Sequence, residues 1–439
     1  MKYLTFPRGV HPQEAKEATK NKPLVPLPPP EKVIIPLLQH FGSPAQPLVK
    51  KGQDVFLGQK IGEGKSLFSA HVHASVSGKV LAVEDYNHPG GYPVTAITIS
   101  NDGQDRLPPD KSGALDPFSL KPEEIRERVK EAGVVGLGGA AFPTAVKLTP
   151  PKDKLIDTLI INGCECEPML TADYRLMLEN PSDIIKGGEL ARIAAGAQRT
   201  IIGIEDNKRQ AGEILKNNSN HFPVEIALLK TKYPQGAEKN LIYALLHREV
   251  PRGGLPFDVG IIVQNVGTAK AIWEAVSAGK PLYERAITVG GPGIQEPKNL
   301  LVRIGTLLQN AVDFCGGLKE EANTFIMGGP MMGLAQWTLD IPIIKGTSGI
   351  LAWHSAFPVT EFPCIRCARC VDHCPMGLMP TQLAKFVQYE KWIEAENWGI
   401  LDCVECGCCQ YICPSKIPLV HWMRLGKNKI ARAKRKKSA

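Results

Sequence analysis

No run of 18 or more apolar residues occurs anywhere in the 439-residue chain, so no helix of its own is expected to span a membrane. The start, MKYLTFPRGVHPQEAK, has no apolar h-region. No secretory signal is therefore expected, and the cysteines are not expected to form a disulfide framework. An excess of one charge is missing from the body of the chain. The net charge of +8 is matched by eight basic residues between Arg424 and Lys437, with no acid among them. A balanced body argues against a nucleic-acid-binding face. The basic run reads either as a solvated tail or as an attraction to anionic lipid or an acidic partner.

What the chain does have is cysteine. Eight of its 12 cysteines fall into two copies of one spacing, C-x2-C-x2-C-x3-C-P. The first is Cys364, Cys367, Cys370 and Cys374, closed by Pro375; the second is Cys403, Cys406, Cys409 and Cys413, closed by Pro414. This run holds [4Fe–4S] clusters in bacterial two-cluster ferredoxins, where the fourth cysteine of each run ligates the other cluster. In that crossed pattern Cys364, Cys367, Cys370 and Cys413 hold one cluster, and Cys403, Cys406, Cys409 and Cys374 the other. A zinc site would want two separated pairs converging on one ion. Cys408 competes locally, but the spacing favours Cys409. Cys164, Cys166, Cys315 and Cys408 are left over, and buried inert thiols are the default for such residues.

The length suggests about three domains. Residues 1–30, with PLVPLPPP, read as an extended arm. Residues 31–105 carry short strand runs split by glycine. Their cadence, K-K-G-x-x-V-x-x-G then S-V-S-G-K-V, resembles a lipoyl- or biotinyl-type barrel-sandwich module. Carriers of that type display a modified lysine on a hairpin tip, whereas Ser69 to His73 has none. The module thus reads as structural or docking, with His71 and His73 as surface histidines. After a linker over 101–120, apolar runs at LIDTLIING, TIIGIED, VEIALLK and VGIIVQNV alternate with helical patterns. Such alternation indicates a mostly parallel α/β sheet over 118–282, with ligands at the carboxyl ends of its strands. Residues 283–345 read as a small α+β module, and 346–362 as a second linker. A cluster domain over 355–423 follows, with one helical stretch, TQLAKFVQYEKWIEAEN, between its cysteine runs. Little apolar mass is visible there, so the clusters are expected to hold it together. Residues 424–439 form the basic tail.

Gly133 to Lys147 read GVVGLGGAAFPTAVK. Gly136, Gly138 and Gly139 have no Cβ, which lets backbone amides approach a phosphate or a flat ring. The spacing matches neither Walker A nor G-x-G-x-x-G. The stretch is similar to the G-R-G-G-A-G-F-P-T loop of the NADH- and FMN-binding subunit of respiratory complex I. Asn162-Gly-Cys-Glu-Cys-Glu-Pro168 resembles that family's N-A-D-E-S-E-P. Tyr233-Pro-Gln-Gly-Ala-Glu238 resembles its Y-x-x-G-E-E, and Asn265-Val-Gly-Thr268 its N-V-E-T. The resemblance implies FMN contacts at Gly136, Gly138, Gly139, Lys147, Asn162, Asn265 and Thr268. It implies a nicotinamide-nucleotide site lined by Glu165, Glu167 and Glu238. Cys164 stands where the family has Asp, so that contact does not transfer. Phe142 reads equally as an aromatic face for a ring or as ordinary core. The family continues into a β-grasp (SLBB-like) ligand-binding module, which matches 283–345.

A barrel-sandwich module in front and a two-cluster ferredoxin domain behind depart from the complex I subunit. The combination resembles the C subunit (RnfC) of the Rnf complex, a membrane-bound ferredoxin:NAD oxidoreductase that couples electron transfer to Na+ or H+ translocation. The resemblance implies a multidomain α/β plus β fold with two [4Fe–4S] clusters, non-covalent FMN, and NAD(H) as substrate. It implies partners among membrane subunits and a ferredoxin-like Fe–S subunit, with ferredoxin reached indirectly. It also implies a peripheral place on the cytoplasmic face of the cell membrane. No acid/base residue is needed for hydride transfer. Three alternatives remain at this point: the NADH-oxidising subunit of a soluble hydrogenase or ferredoxin reductase, a non-enzymatic Fe–S adaptor, and a nucleic-acid binder using the basic tail.

Overall fold

The computed structural model describes residues 4–109, 116–219, 221–354 and 360–438, with side chains as far as Lys434. The start of the expected cluster domain (355–359), the middle of the first linker (110–115) and the side chains of Arg435, Lys436 and Lys437 lie outside the described residues.

The arm is extended but bonded along its length. Leu4 bridges Leu229 and Val10 bridges Tyr233. Leu24–Pro26 then joins the β-grasp sheet as an edge strand parallel to Asn299–Leu301. Lys16 is buried, and its Nζ donates to the carbonyls of Glu165 (2.7 Å), Glu167 (3.0 Å) and Leu170 (2.6 Å). The arm thereby ties down the N-G-C-E-C-E-P turn.

Valine- and isoleucine-rich runs build the barrel-sandwich module from two sheets. One orders Lys32–Pro36, Pro93–Asn101, Gly78–Asn87 and Asp54–Val55; the other orders Gln46–Pro47, Lys60–Glu63 and Val72–His73. Val33, Ile35, Ile61, Val72, Ile97 and Ile99 close its core. His71 and His73 are buried rather than on the surface. His71 stands just before the strand Val72–His73, and Glu131, at the end of the helix Pro122–Glu131, stands 3.3 Å from its Nε2. His40 is buried as well and accepts from the Ala70 amide. Burial, aided by the Lys345 charge, lowers its pKa to about 4. Between pH 6.5 and 4 the unfolded chain therefore binds a proton that the folded chain refuses. Stability should fall as pH drops through that window, by about 3 kcal/mol at its lower end. His73, shifted the same way by burial, adds to the loss. Urea unfolding at pH 7 and pH 4.5 checks this: His40→Gln should lose less stability between the two.

The α/β domain carries a four-stranded parallel sheet ordered Val224–Leu229, Arg199–Glu205, Thr158–Asn162, Ile261–Asn265. The first three strands in sequence step one way, and the fourth returns to the other side of the first. The sheet reverses direction between Thr158–Asn162 and Ile261–Asn265, where Asn162 and Asn265 are register partners. A crevice at such a reversal is where open parallel sheets bind ligands.

The β-grasp sheet has six strands, with Gly349–His354 near its centre between Glu284–Gly290 and Ala322–Met327. Residues 346–354 are thus not a linker. The Gly-Thr-Ser-Gly turn signal precedes a strand whose Ile350 and Leu351 are fully buried. In the cluster domain the expected single helix is two, Pro380–Gln388 and Trp392–Asn397, broken where Glu390 takes a φ of 55°. The basic tail is the continuation of one helix, Leu419–Ser438, with no break at 424. Leu383, Val387, Ala395, Ile400, Leu419, Met423 and Ile430 pack between these helices. The domain therefore has an apolar core of its own besides its cysteines.

Candidate functional site

The sheet reversal is roofed by the glycine loop. Thr268 Oγ1, in the first turn of the helix Val266–Ala278, accepts from the Leu137 amide (2.9 Å). The Gly136 amide donates to Phe142 O (2.8 Å) and closes the loop on itself. The next three residues, Gly138, Gly139 and Ala140, are exposed, and their amides have no acceptor among the described residues. Gly139 has a φ of +109°, and a Cβ there would meet nothing within 4 Å. At Gly138 the nearest neighbour of a Cβ would be Asn265 Cβ at 3.4 Å. Three consecutive open amides, two of them on glycines, over the carboxyl end of a parallel sheet suit a flavin ring or a phosphate.

Around the loop the expected residues divide into two groups. Asn265 caps the helix Val266–Ala278 through the Gly267 amide and donates to Asp173 Oδ2 (2.7 Å). Asn162 donates to Gly236 O (2.8 Å) and accepts from the Cys164 amide, so it joins the two loops. Lys147 and Glu238 form an ion pair, both partly open to solvent. Phe142 is half-buried and stacks at 5.9 Å on Phe41 of the barrel-sandwich module, beside Phe68. These residues converge on the loop.

Glu165 and Glu167 are turned elsewhere. The buried Glu165 carboxylate accepts from the amides of Asp173 (2.9 Å) and Tyr174 (3.2 Å) and caps the helix Ala172–Glu179. Glu167 accepts from Met331 and Met332 of the β-grasp module, both at 3.0 Å. Each carboxylate satisfies backbone amides that would otherwise be orphaned at a helix start or a module junction.

Asp173 escapes a reading based on sequence alone. Burial first, and then the neighbouring Glu165 charge, raise its carboxyl well above the usual range. Its carboxylate accepts from Asn265 Nδ2, which places it beside the crevice at the sheet reversal. Its only local signal is its place in the first turn of a helix. Tyr233 stands out in the sequence only as part of a segment, yet it is fully buried against the cluster domain.

In that domain Cys374, Cys403, Cys406 and Cys409 line a single cavity together with Pro375, Met376, Leu378 and Met423. Burial pushes the Cys403 thiol up to about 11, and Cys406 and Cys374 push the same way. Four thiols around one void would, as thiolates, hold a cationic iron–sulfur core between them. Cys370 instead has Cys413 and Cys364 as its charged neighbours. Among the described residues no three His, Cys, Asp or Glu side chains converge closely enough for a single metal ion. The donor sets fit cubanes better than zinc. The leftover Cys164 and Cys315 are buried thiols raised by desolvation, as the default reading has them.

Fold and site together define an FMN-binding, two-cluster iron–sulfur electron-transfer protein. Family models described as the Nuo51 FMN-binding domain, the RnfC barrel sandwich hybrid domain, the SLBB domain and the 4Fe-4S dicluster domain match residues 129–274, 4–104, 286–335 and 363–417. The chain is 48% identical over 401 residues to the C subunit of the proton-translocating ferredoxin:NAD(+) oxidoreductase complex of Clostridium ljungdahlii, covering 91% of this chain and 88% of that one. It is 46% identical over 441 residues to the C subunit of the Na(+)-translocating ferredoxin:NAD(+) oxidoreductase complex of Acetobacterium woodii, covering 99% of each. The C subunit of the ion-translocating oxidoreductase complex of Rhodobacter capsulatus is 40% identical, over 98% of this chain and 84% of that one. A chain of an NAD+-reducing [NiFe]-hydrogenase superposes with a TM-score of 0.49 at 20% identity over 73% of this chain and 63% of that one, too loosely to bear on function. The chain belongs to the family of C subunits (RnfC) of ion-translocating ferredoxin:NAD(+) oxidoreductase complexes.

Proposed function

We propose that the chain is the NAD(H)-oxidoreductase subunit of an Rnf-type complex, passing electrons between NAD(H) and partner subunits through FMN and two [4Fe–4S] clusters. The observation that carries this is the joining, in one chain matched end to end by an RnfC relative, of an open glycine loop at a sheet reversal with two four-cysteine runs, four of whose cysteines line one cavity. FMN, when bound, exchanges the electron pair of a hydride for single electrons. The chain's own residues bind and position. The amides of Gly138 to Ala140 face the ligand, Thr268 and Asn265 fix the loop over the crevice, and Asn162 joins the two neighbouring turns. Lys147 brings a cation and Glu238 balances it. Glu165 and Glu167 stiffen the site's floor through the amides they cap.

Partner subunits of the complex carry the ion translocation. No helix among the described residues is long and apolar enough to cross a membrane, and attachment to partners places the chain peripherally. We place it on the cytoplasmic face, where NAD(H) and ferredoxin are found. The relatives' names favour this reading over a soluble hydrogenase subunit and over an Fe–S adaptor without a nucleotide. The test is anaerobic reconstitution of the full chain. It should hold one FMN and about eight iron atoms, four per cubane, and reduce an artificial dye with NADH. Iron near a single cubane, or clusters without flavin or NADH-dependent dye reduction, would overturn the reading.

A further inference from the structure

The two cysteine sites are not equivalent in their surroundings. Two parts of the flavin-side body meet the second run, and a third meets the end of the first run, where Cys374 crosses over. The Tyr233 hydroxyl, in the loop after the Val224–Leu229 strand, donates to the carbonyl of Cys406 (2.6 Å). Met331 of the β-grasp module packs on Gly407, where a Cβ would come within 3.0 Å of the Met331 carbonyl. The arm's Gly9 amide donates to His373 O, beside the crossing residue Cys374 (3.2 Å). Tyr233, Val10, Cys406 and Cys408 form a buried cluster, with Cys166, Met331 and Val404 packed against it. Tyr233 is itself locked to Val10 by a reciprocal pair of backbone hydrogen bonds, each 2.9 Å.

The start of the first run has none of this. Residues 360–369 are exposed throughout, Cys364 and Cys367 included. The Phe362 amide donates to Ser415 O (2.9 Å), a contact within the cluster domain.

We propose that Tyr233 is a positioning residue that docks the Cys403–Cys409 loop onto the flavin-side body. The site of Cys374, Cys403, Cys406 and Cys409 is then the inward of the two, and the site of Cys364, Cys367, Cys370 and Cys413 is the outward one. This rests on the function proposed above. The hydroxyl dipole points at a carbonyl of the inner ligand loop and offsets part of the negative charge around it. A cluster gains negative charge on reduction, so that donor favours its reduced form. The electron count is simple. One NADH leaves as NAD+ and a proton, and its two electrons reduce the two clusters by one each.

Order and positioning are tested on the reconstituted full chain, after flavin and iron contents have been measured on the same samples. A shortfall in the unmodified protein counts against the function, whereas full contents with a wrong pattern below count against this inference only. Redox titration followed by electron paramagnetic resonance should show one cluster of Tyr233→Phe shifted to lower potential. Its reduced-to-oxidised ratio at fixed potential should fall severalfold, while the other cluster is unchanged. Ferricyanide should destroy the unshifted cluster first, because its ligand loop is the exposed one. Two further variants remove the dependence on Tyr233→Phe folding. Cys364→Ala should leave a cluster signal that NADH still produces. Cys406→Ala should leave one that dithionite produces and NADH does not. Potentials that both move or both stay, first loss of the shifted cluster, or the reverse pattern in the cysteine variants would each overturn the proposal.

Discussion

Gly138→Trp should yield a protein that keeps both iron–sulfur signals and has lost its flavin. The backbone tolerates the first carbon of the new side chain: a Cβ at Gly138 would lie 3.4 Å from Asn265 Cβ, an ordinary contact. The ring beyond that carbon leaves no room for a ligand. An indole would cover the sheet reversal at Asn265 and shield the open amides of Gly138 to Ala140. The expected loss of FMN affinity is on the order of a hundredfold, about 3 kcal/mol. Gly138→Ala, which adds that one carbon alone, should fold and retain most of the flavin. The cysteine sites belong to a separate module with its own apolar core, so iron content should not change. Flavin released by acid and counted by fluorescence, beside iron per chain, checks the pair. Retention of flavin by the Trp variant would remove the loop from the site.

That prediction was within reach of the sequence, and the reasons are physical. Four short apolar runs separated by helical patterns specify a parallel sheet, because a strand buried on both faces needs continuous apolar residues. The end of such a strand then locates Asn162 and Asn265 without coordinates. The cysteine runs are legible because a cubane demands a fixed spacing. Features that depend on distant pairing were not legible. Gly349–His354 looks like part of a linker until its partners Thr288–Gly290 and Phe325–Met327 are known. His71 precedes a two-residue strand, and nothing local says that a helix will cover it; Glu131 belongs to that helix. Glu165 offers a carboxylate at the right place in a motif. Whether it meets a nucleotide or a helix start depends on where the Ala172–Glu179 helix lands. The basic tail is a similar case. Arg424 and Lys427 pair with Glu405, and Ile430 is buried, so half of that run belongs to the folded domain. The charge of the run is visible in the sequence, but its partners are not.

Replacing Cys374 by alanine should cost more iron than one cysteine would suggest. Cys374 belongs to the first run by sequence, but its side chain lines the cavity of Cys403, Cys406 and Cys409. The inner site of Cys374→Ala is left with three thiols, and its cluster should be lost or converted. Its neighbours in sequence bind the other site: Cys370 is four residues earlier, in the short helix Arg369–Asp372, with Cys413 and Cys364 nearby. Cys374 is tied into that helix's end through its amide to Val371 O (3.2 Å). Loosening one site therefore loosens the segment that carries a ligand of the other. Iron should fall from about eight per chain to below about four, and the second signal should broaden or disappear. Cys413→Ala should behave alike with the sites exchanged. Leu383, Val387, Ala395 and Leu419 still pack the helices together, and the glycine loop sits in another module, so FMN content should remain near one per chain. Alanine at Cys408, which is buried against Tyr233 rather than facing the cavity, is the control and should leave both clusters in place. Uncrossed ligation predicts a different result for Cys374→Ala: loss of the outer cluster with a full inner one. Iron counts and paramagnetic signals from the three variants decide between the two.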